Sequence, residues 1–363
     1  MASPANKPSS VYFIRIKNTD SDNVISKKLV TLIDRSGILR YINKNDFTAL
    51  KIHFGEKGNT GHIRSAWLKG LIKRLSGITK NIFFTDTNVL YKASARTNAV
   101  DHLKTAYEHG FGLDACGVPV IIADGLWGRN FTDIEINKKH FSKVKIANDI
   151  AVCDSILALT HITGHIMTGF AGAIKNLGMG CASRRGKFEQ HCGVLPDFKK
   201  EACIGCGACV INCPAGCIRL ENGSAKIDEA SCIGCGECVV VCKTDALTTK
   251  WSETLAKLQE KMVEYAYGAI KAVKGRAGYV NFLTSITSAC DCLAKDDSRI
   301  VKDIGILVSD DLVSIDKASG ELVNEARKKD VFMEEYPGID WTVQLKYASS
   351  LGMGKLDYKL IEI

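Results

Sequence analysis

The residues with the plainest chemistry are cysteines. Cys203, Cys206, Cys209 and Cys213 are repeated 29 residues later by Cys232, Cys235, Cys238 and Cys242, so C-x2-C-x2-C-x3-C is written twice. Soft thiolates at this spacing select iron, and the two-residue steps let one loop wrap a cubane cluster. In the two-cluster pattern the fourth cysteine of each run serves the other cluster. Cys203, Cys206, Cys209 and Cys242 are therefore expected to hold one [4Fe-4S] cluster, and Cys232, Cys235, Cys238 and Cys213 a second. Intervening glycines let backbone N–H groups approach the cluster sulfurs. Zinc knuckles fit less well, because they use two CxxC pairs across a longer spacer. A disulfide framework needs a secreted context that nothing in the sequence supports.

A second group of chemically able residues lies between Thr160 and His191: His161, His165, Lys175, Arg184 and His191. Following a buried strand, it reads as a loop region over an active-site edge. His165 is the candidate proton donor, with His161 beside it, and Lys175 and Arg184 are candidates for holding an anionic substrate or nucleotide. Cys290 and Cys292, at i and i+2, would share one face if they lie on a strand, and with His161, His165 or His191 would make a mononuclear metal site; buried free thiols are the equally weighted alternative. The loop Gly55–Gly61, with Asn59 and Thr60, precedes a helix and suits either a phosphate cradle or a plain tight connection. Cys116, Cys153 and Cys217 read as packing thiols.

The elements that must position these residues alternate between strand and helix. Apolar runs at 11–16, 50–54, 81–85, 119–123 and 155–159 read as buried strands. Helical periodicity covers 22–36, capped at Asp20 or Ser21 and stopped by Gly37, and recurs at 62–76 and 98–109. Beyond the cysteines, a helix over 252–274, strands over 278–287 and 304–308, helices over 315–328 and 342–350, and a last strand over 358–363 follow. This pattern predicts an α/β fold with a mostly parallel sheet and helices on both faces. A small α+β ferredoxin-like domain at 199–249 would be inserted between body segments 1–198 and 250–363. Ligands of such sheets sit at the carboxyl ends of the strands.

Composition narrows the class. The 363 residues carry a formal charge of +8, yet residues 201–248 contain six acids and three bases, leaving the remainder at +11. A basic body around an acidic redox module suits an anionic small molecule. Nucleic acid is excluded for want of a basic stripe interleaved with aromatics. No run reaches the apolar length of a membrane span, so no membrane partner is expected. Fifteen cysteines, no signal peptide and oxygen-labile clusters indicate a reducing, cytoplasmic, low-oxygen setting.

Three resemblances extend this reading. The stretch 203–242 resembles bacterial two-cluster ferredoxins, including Pro214 after the fourth cysteine, with Lys243 departing from the usual proline. Asn59-Thr60, Thr85-Asp86-Thr87-Asn88, Thr160–His191 and Cys290-Asp291-Cys292 together resemble the family known only as domain of unknown function 362, across nearly the whole chain. His165-x9-Lys175-x15-His191, with Gly169-Phe170-x-Gly172 between, is similar to the lactate racemase family. That likeness implies an acid/base role for His165, a lysine anchoring a nickel-pincer nucleotide at Lys175, and a nickel ligand at His191. It departs at Asn88, near where the family places its other acid/base histidine, which leaves two-sided proton exchange without its second base.

The resulting expectation is an iron–sulfur oxidoreductase passing electrons through two clusters to a His/Lys/Cys site that acts on an anionic small molecule. A further mononuclear metal or nucleotide-type cofactor is allowed for. A ferredoxin, flavoprotein or other oxidoreductase would be its redox partner, and a homo-oligomer is compatible with the sequence. The alternatives are an electron-transfer protein without catalysis of its own and a lactate-racemase-like isomerase.

Overall fold

A computed structural model describes residues 7–90, 94–191, 196–213, 215–232, 236–248, 254–294 and 297–363. Eight strands form the main sheet: β1 Ser9–Arg15, β2 Thr48–Ile52, β3 Ile82–Asp86, β4 Val120–Ile122, β5 Ser155–His161, β6 Ala277–Leu283, β7 Gly305–Ser309 and β8 Tyr358–Glu362. Their order is β8-β1-β7-β6-β5-β2-β3-β4. The run from β6 to β4 is parallel throughout, and β7 alone lies antiparallel to its two neighbours. The predicted α/β class, mostly parallel with helices on both faces, is what forms.

The reason is legible along β2 and β5. Strand side chains alternate between faces, and both faces here are apolar. Leu50, Ile52, Leu157 and Leu159 pack with the helices Asp22–Ser36 and Ser65–Ser76. Ala49, Ile156 and Ala158 pack with the helices Leu255–Ala272 and Leu312–Arg327 on the other face. Each fully buried leucine contributes about 1.5–3 kcal/mol to that sandwich. The first helix begins where its cap is written: Ser21 Oγ accepts from the Val24 N–H, and Gly37 ends it at φ 61°, a left-handed conformation suited to glycine.

Two local departures matter. Residues 134–146, unassigned by pattern, form part of a hairpin of Phe131–Glu135 with Lys143–Ala147. The strand expected over 278–287 stops at Leu283, because Ser285 takes φ 50° and donates its N–H to Asp303 at 2.7 Å. The chain then turns, so Cys290-Asp291-Cys292 sits in a turn and not on a strand.

The cysteine-rich stretch has its own small framework. Asp197–Phe198 pairs with Leu247–Thr248, Ile218–Glu221 pairs with Ser224–Ile227, and short helices occupy Ala208–Ile211 and Glu237–Val241. Cys209, Cys217, Ile218, Cys238, Val239 and Leu247 form a separate apolar cluster, which Phe188 of the body joins. Among the described residues no helix is long and apolar enough to cross a membrane.

Candidate functional site

The carboxyl ends of β2, β3 and β5 open into a cavity of about 960 Å³, its solvent-facing mouth included. Four histidines (His53, His161, His165, His191) and four cations (Lys51, Arg96, Lys175, Lys187) line it against two carboxylates, Asp86 and Asp291. The excess of positive charge in a recess of low polarity favours an anionic occupant.

Lys51 and Asp86 build the floor. They pair at 3.0 Å, almost wholly buried, and Lys51 Nζ also donates to Asn176 Oδ1 at 2.8 Å. Burial by itself would raise the Asp86 pKa. The Lys51 ammonium, backed by His53, His102 and Arg96, reverses this and holds the carboxyl well below the ordinary range. Gly180 leaves room for the lysine, since a Cβ there would stand 2.4 Å from Nζ. Beside it, Lys187 Nζ donates to Thr87 Oγ1 and to the Ala182 carbonyl; burial pushes its pKa down to about 8 despite Asp124. Asp124 accepts from both the N–H and the side-chain amide of Asn88.

Lys175 rides on the short helix Ala173–Gly178, which is fixed from a distance in sequence. Asp316 accepts from the Ala173 N–H at 2.7 Å and the Ile174 N–H at 2.8 Å, and Asn281 supports the same carboxylate at 2.8 Å. Gly172 permits this approach, because a Cβ would meet Asp316 Oδ1 at 2.5 Å. Burial drops the Lys175 pKa to about 8, with Asp291 opposing and Arg96 and Lys51 reinforcing the fall. The amine therefore stays mostly protonated at neutral pH but loses its proton far more readily than a surface lysine.

The histidines divide by role. His161 Nδ1 lies 2.7 Å from Asp291 Oδ2 and its Nε2 2.6 Å from the Thr284 carbonyl. Both partners are acceptors, so both ring nitrogens carry protons. Burial disfavours that charge, but the Asp291 carboxylate outweighs it and raises the pKa. His161 is thus a clamp on the 290–292 turn as well as part of the cavity wall. His165 is held at Nδ1 by Thr168 Oγ1 at 3.0 Å and by the Met167 N–H at 3.3 Å. Burial, then the Lys175 and His191 charges, keep it neutral well below the ordinary value. His191 is lowered to about 3 by burial and by Lys175 and Lys187.

Cys290 and Cys292 line the same cavity, joined to each other by a disulfide rather than presented as two strand thiols. Their sulfurs and a His165 ring nitrogen lie within 4.8 Å of one another. Three other candidates stand away from the cavity lining. Arg184 donates to the Val89 and Trp127 carbonyls. Asn59 Oδ1 accepts from the N–H groups of Gly61 and His62, closing its own loop, and Thr60 meets Arg299 at 3.3 Å. The Gly55–Gly61 loop is pinned by the buried pair of Glu56 and Arg96 at 3.2 Å. Lys51 and Asp316 were not singled out from sequence, and Asp86 and Lys187, though within the motifs read there, were given no role. A lysine inside the apolar run Ala49–Phe54 was the available signal, since buried lysines need a partner.

In the cysteine-rich stretch, Cys203, Cys206, Cys209 and Cys242 line one pocket of about 330 Å³. The Ala225 N–H donates to Cys203 Sγ and the Leu247 N–H to Cys242 Sγ, each at 3.4 Å. Four thiols lining one pocket, two of them accepting backbone N–H groups, are donors of the kind that a cubane cluster takes. Cys213, Cys232 and Cys238 pack within one apolar cluster, and Cys235 lies outside the described residues. Cys217, read as a packing thiol, is buried in the same cluster, with its sulfur 3.4 Å from Cys213 Sγ.

No curated protein matches the chain. Among solved structures it is similar to the lactate racemase apoprotein from Thermoanaerobacterium thermosaccharolyticum, with 12% identity and a TM-score of 0.37 over 76% of this chain and 51% of that one. It is also similar to a crystal structure of a Thermotoga maritima protein, with 12% identity and a TM-score of 0.44 over 86% of this chain and 60% of that one. The chain thus spans between one half and two thirds of the length of these structures. Residues 48–321 match the family described as Domain of unknown function (DUF362), and the chain belongs to that family.

Proposed function

We propose that this protein is an iron–sulfur oxidoreductase in which a two-cluster module at 199–249 serves the cationic cavity, where a small anionic molecule is reduced or oxidised. The observation that carries this reading is the helix Arg184–His191. Lys187 and His191 of that helix line the cavity, while Phe188 packs among Cys209, Cys217 and Cys238. Gly236 touches the Phe188 ring so closely that a Cβ would sit 2.4 Å from it. One short helix therefore borders both the thiols and the cavity. When bound, [4Fe-4S] clusters supply single electrons at low potential. Lys175 and Lys187 would hold the anion, and His165 would move a proton at the reacting atom. The redox partner would be a ferredoxin, a flavoprotein or another oxidoreductase in a reducing, cytoplasmic, low-oxygen setting.

The test is anaerobic preparation followed by iron, sulfide and zinc analysis. Iron and sulfide at the stoichiometry of two cubanes are expected; zinc in their place overturns the proposal. Cys203→Ala should remove a cluster and turnover while the α/β body stays folded, as judged by circular dichroism. Unchanged turnover would remove the electron role, whereas a His165→Ala variant that changes no reaction would remove the catalytic role and leave a protein that only carries electrons.

A second reading has one observation in its favour: His165, Lys175 and His191 line the same cavity, and the Lys175 amine is poised near pH 8. An isomerase carrying a nickel-pincer nucleotide on Lys175 would show a mass increment on that residue and bound nickel. Absence of both removes it.

A further inference from the structure

Cys290, Asp291 and Cys292 are buried or half-buried at the cavity wall, and nothing in the oxidoreductase reading requires a disulfide there. A bond between residues separated by only 2 positions closes a minimal loop and removes little freedom from the unfolded chain. Its value must lie in what the two sulfurs do. They face His165, and all three candidate donor atoms fall within 4.8 Å of one another.

The surroundings hold these donors in place. Gly164 lies so near Ser288 that a Cβ would stand 2.2 Å from its carbonyl oxygen, and the Gly164 N–H donates to the Thr287 carbonyl at 2.9 Å. This close backbone approach brings the cysteine turn down beside His165. The turn is then secured by His161 on the Asp291 carboxylate and by the Glu56 N–H on the Asp291 carbonyl at 2.8 Å. His165 is itself held at Nδ1, which accepts from the Met167 N–H at 3.3 Å and lies 3.0 Å from the Thr168 hydroxyl oxygen, so its ring is fixed beside the two sulfurs.

We propose that His165, Cys290 and Cys292 form a redox-gated site for a zinc-class divalent cation. In the disulfide form the sulfurs are poor ligands and the site is closed. A dithiol gives two electrons and two protons and becomes a disulfide itself, or a phosphine gives two electrons and becomes its oxide while water supplies the oxygen and the two protons; either converts the Cys290–Cys292 disulfide to two thiols. Binding of the cation then releases the two thiol protons and gives a ligand set of two sulfurs and one nitrogen, with a fourth position facing the cavity. Three protein ligands and one open position are the arrangement of a reactive metal site, and Lys175 on the same cavity wall would favour an anionic oxygen there. All three ligands lie outside residues 199–249, so the site does not depend on the clusters, and with the cation bound His165 would serve as a ligand in place of its proton-transfer role.

The experiment is equilibrium dialysis of the full-length, anaerobically prepared protein against zinc ion, before and after reduction with a phosphine, with zinc K-edge X-ray absorption on the bound fraction. Reduced wild type should take up one more zinc per chain than oxidised wild type, with two sulfur scatterers and at least one nitrogen. Cys290→Ser and Cys292→Ser should each abolish the extra uptake, and His165→Ala should weaken it at least about 10–100-fold. Equal uptake by oxidised and reduced wild type overturns the proposal without reference to any variant. Extra zinc retained in both serine variants also overturns it, because the metal is then held elsewhere. Iron content measured alongside separates this outcome from failure of the cluster reading.

Discussion

The cysteine-rich lobe and the sheet-edge cavity are built in opposite ways. The lobe's four pocket thiols come from one stretch, 203–242, on short strands and one-turn helices with few apolar side chains of its own. The cavity gathers Lys51, Asp86, Lys175, Lys187 and Asp291 from five separate places in the chain, each on or beside an element packed into a large core. On the proposed reading, bound clusters would complete the stability of so small a lobe. The cavity is organised beforehand by buried ion pairs and helix caps. Loss of a lobe ligand should therefore act locally, whereas loss of a cavity charge should be felt by the whole body.

The largest expected effect tests that contrast directly. Lys51→Met leaves Asp86 buried without its 3.0 Å partner, which should cost about 3–5 kcal/mol in a chemical-denaturation measurement. A loss below about 1 kcal/mol would mean that the floor is held by other contacts. Next, Gly236→Ala places a Cβ against Phe188 at a residue with φ 72°, and should cost about 1–3 kcal/mol while loosening the lobe from the body. Limited proteolysis should then cut within 199–249 first; cutting in the body instead would break the comparison.

The His161–Asp291 pair gives a smaller effect with a defined sign. Asp291 titrates near 2 in the folded chain against an ordinary 3.8, so its contribution is present above about pH 4 and fades as pH falls toward 2. His161 is raised above 6.5, so its contribution is complete below that value and is lost as pH rises through the folded pKa. Thermal melts across pH should show both arms in wild type and neither in Asp291→Asn. Smallest is the reactivity of Lys175: labelling by an amine-directed reagent, read by peptide mass, should have its midpoint near pH 8, where surface lysines stay protonated. A midpoint near about 10 would show the amine to be solvated.

What could be read without coordinates was what depends on neighbours in sequence. The Ser21 cap and Gly37 stop, the alternation along β2 and β5, and the doubled cysteine spacing are local patterns, each visible within a short stretch of chain. The α/β class followed from them, as did the gathering of His165, Lys175 and His191 in one cavity, since that stretch comes directly after a buried strand. The end of β6 did not, because Ser285 turns by bonding to Asp303, a residue eighteen positions away. Only the tertiary structure decided that Lys51 and Asp86 face each other, that Asp316 caps the Lys175 helix, and that Arg184 and Asn59 bond to backbone groups and Thr60 to Arg299. The physical reason is range. Hydrophobic period and ligand spacing act along the chain, whereas buried charges are chosen by whichever partner the packed sheet brings within hydrogen-bonding distance.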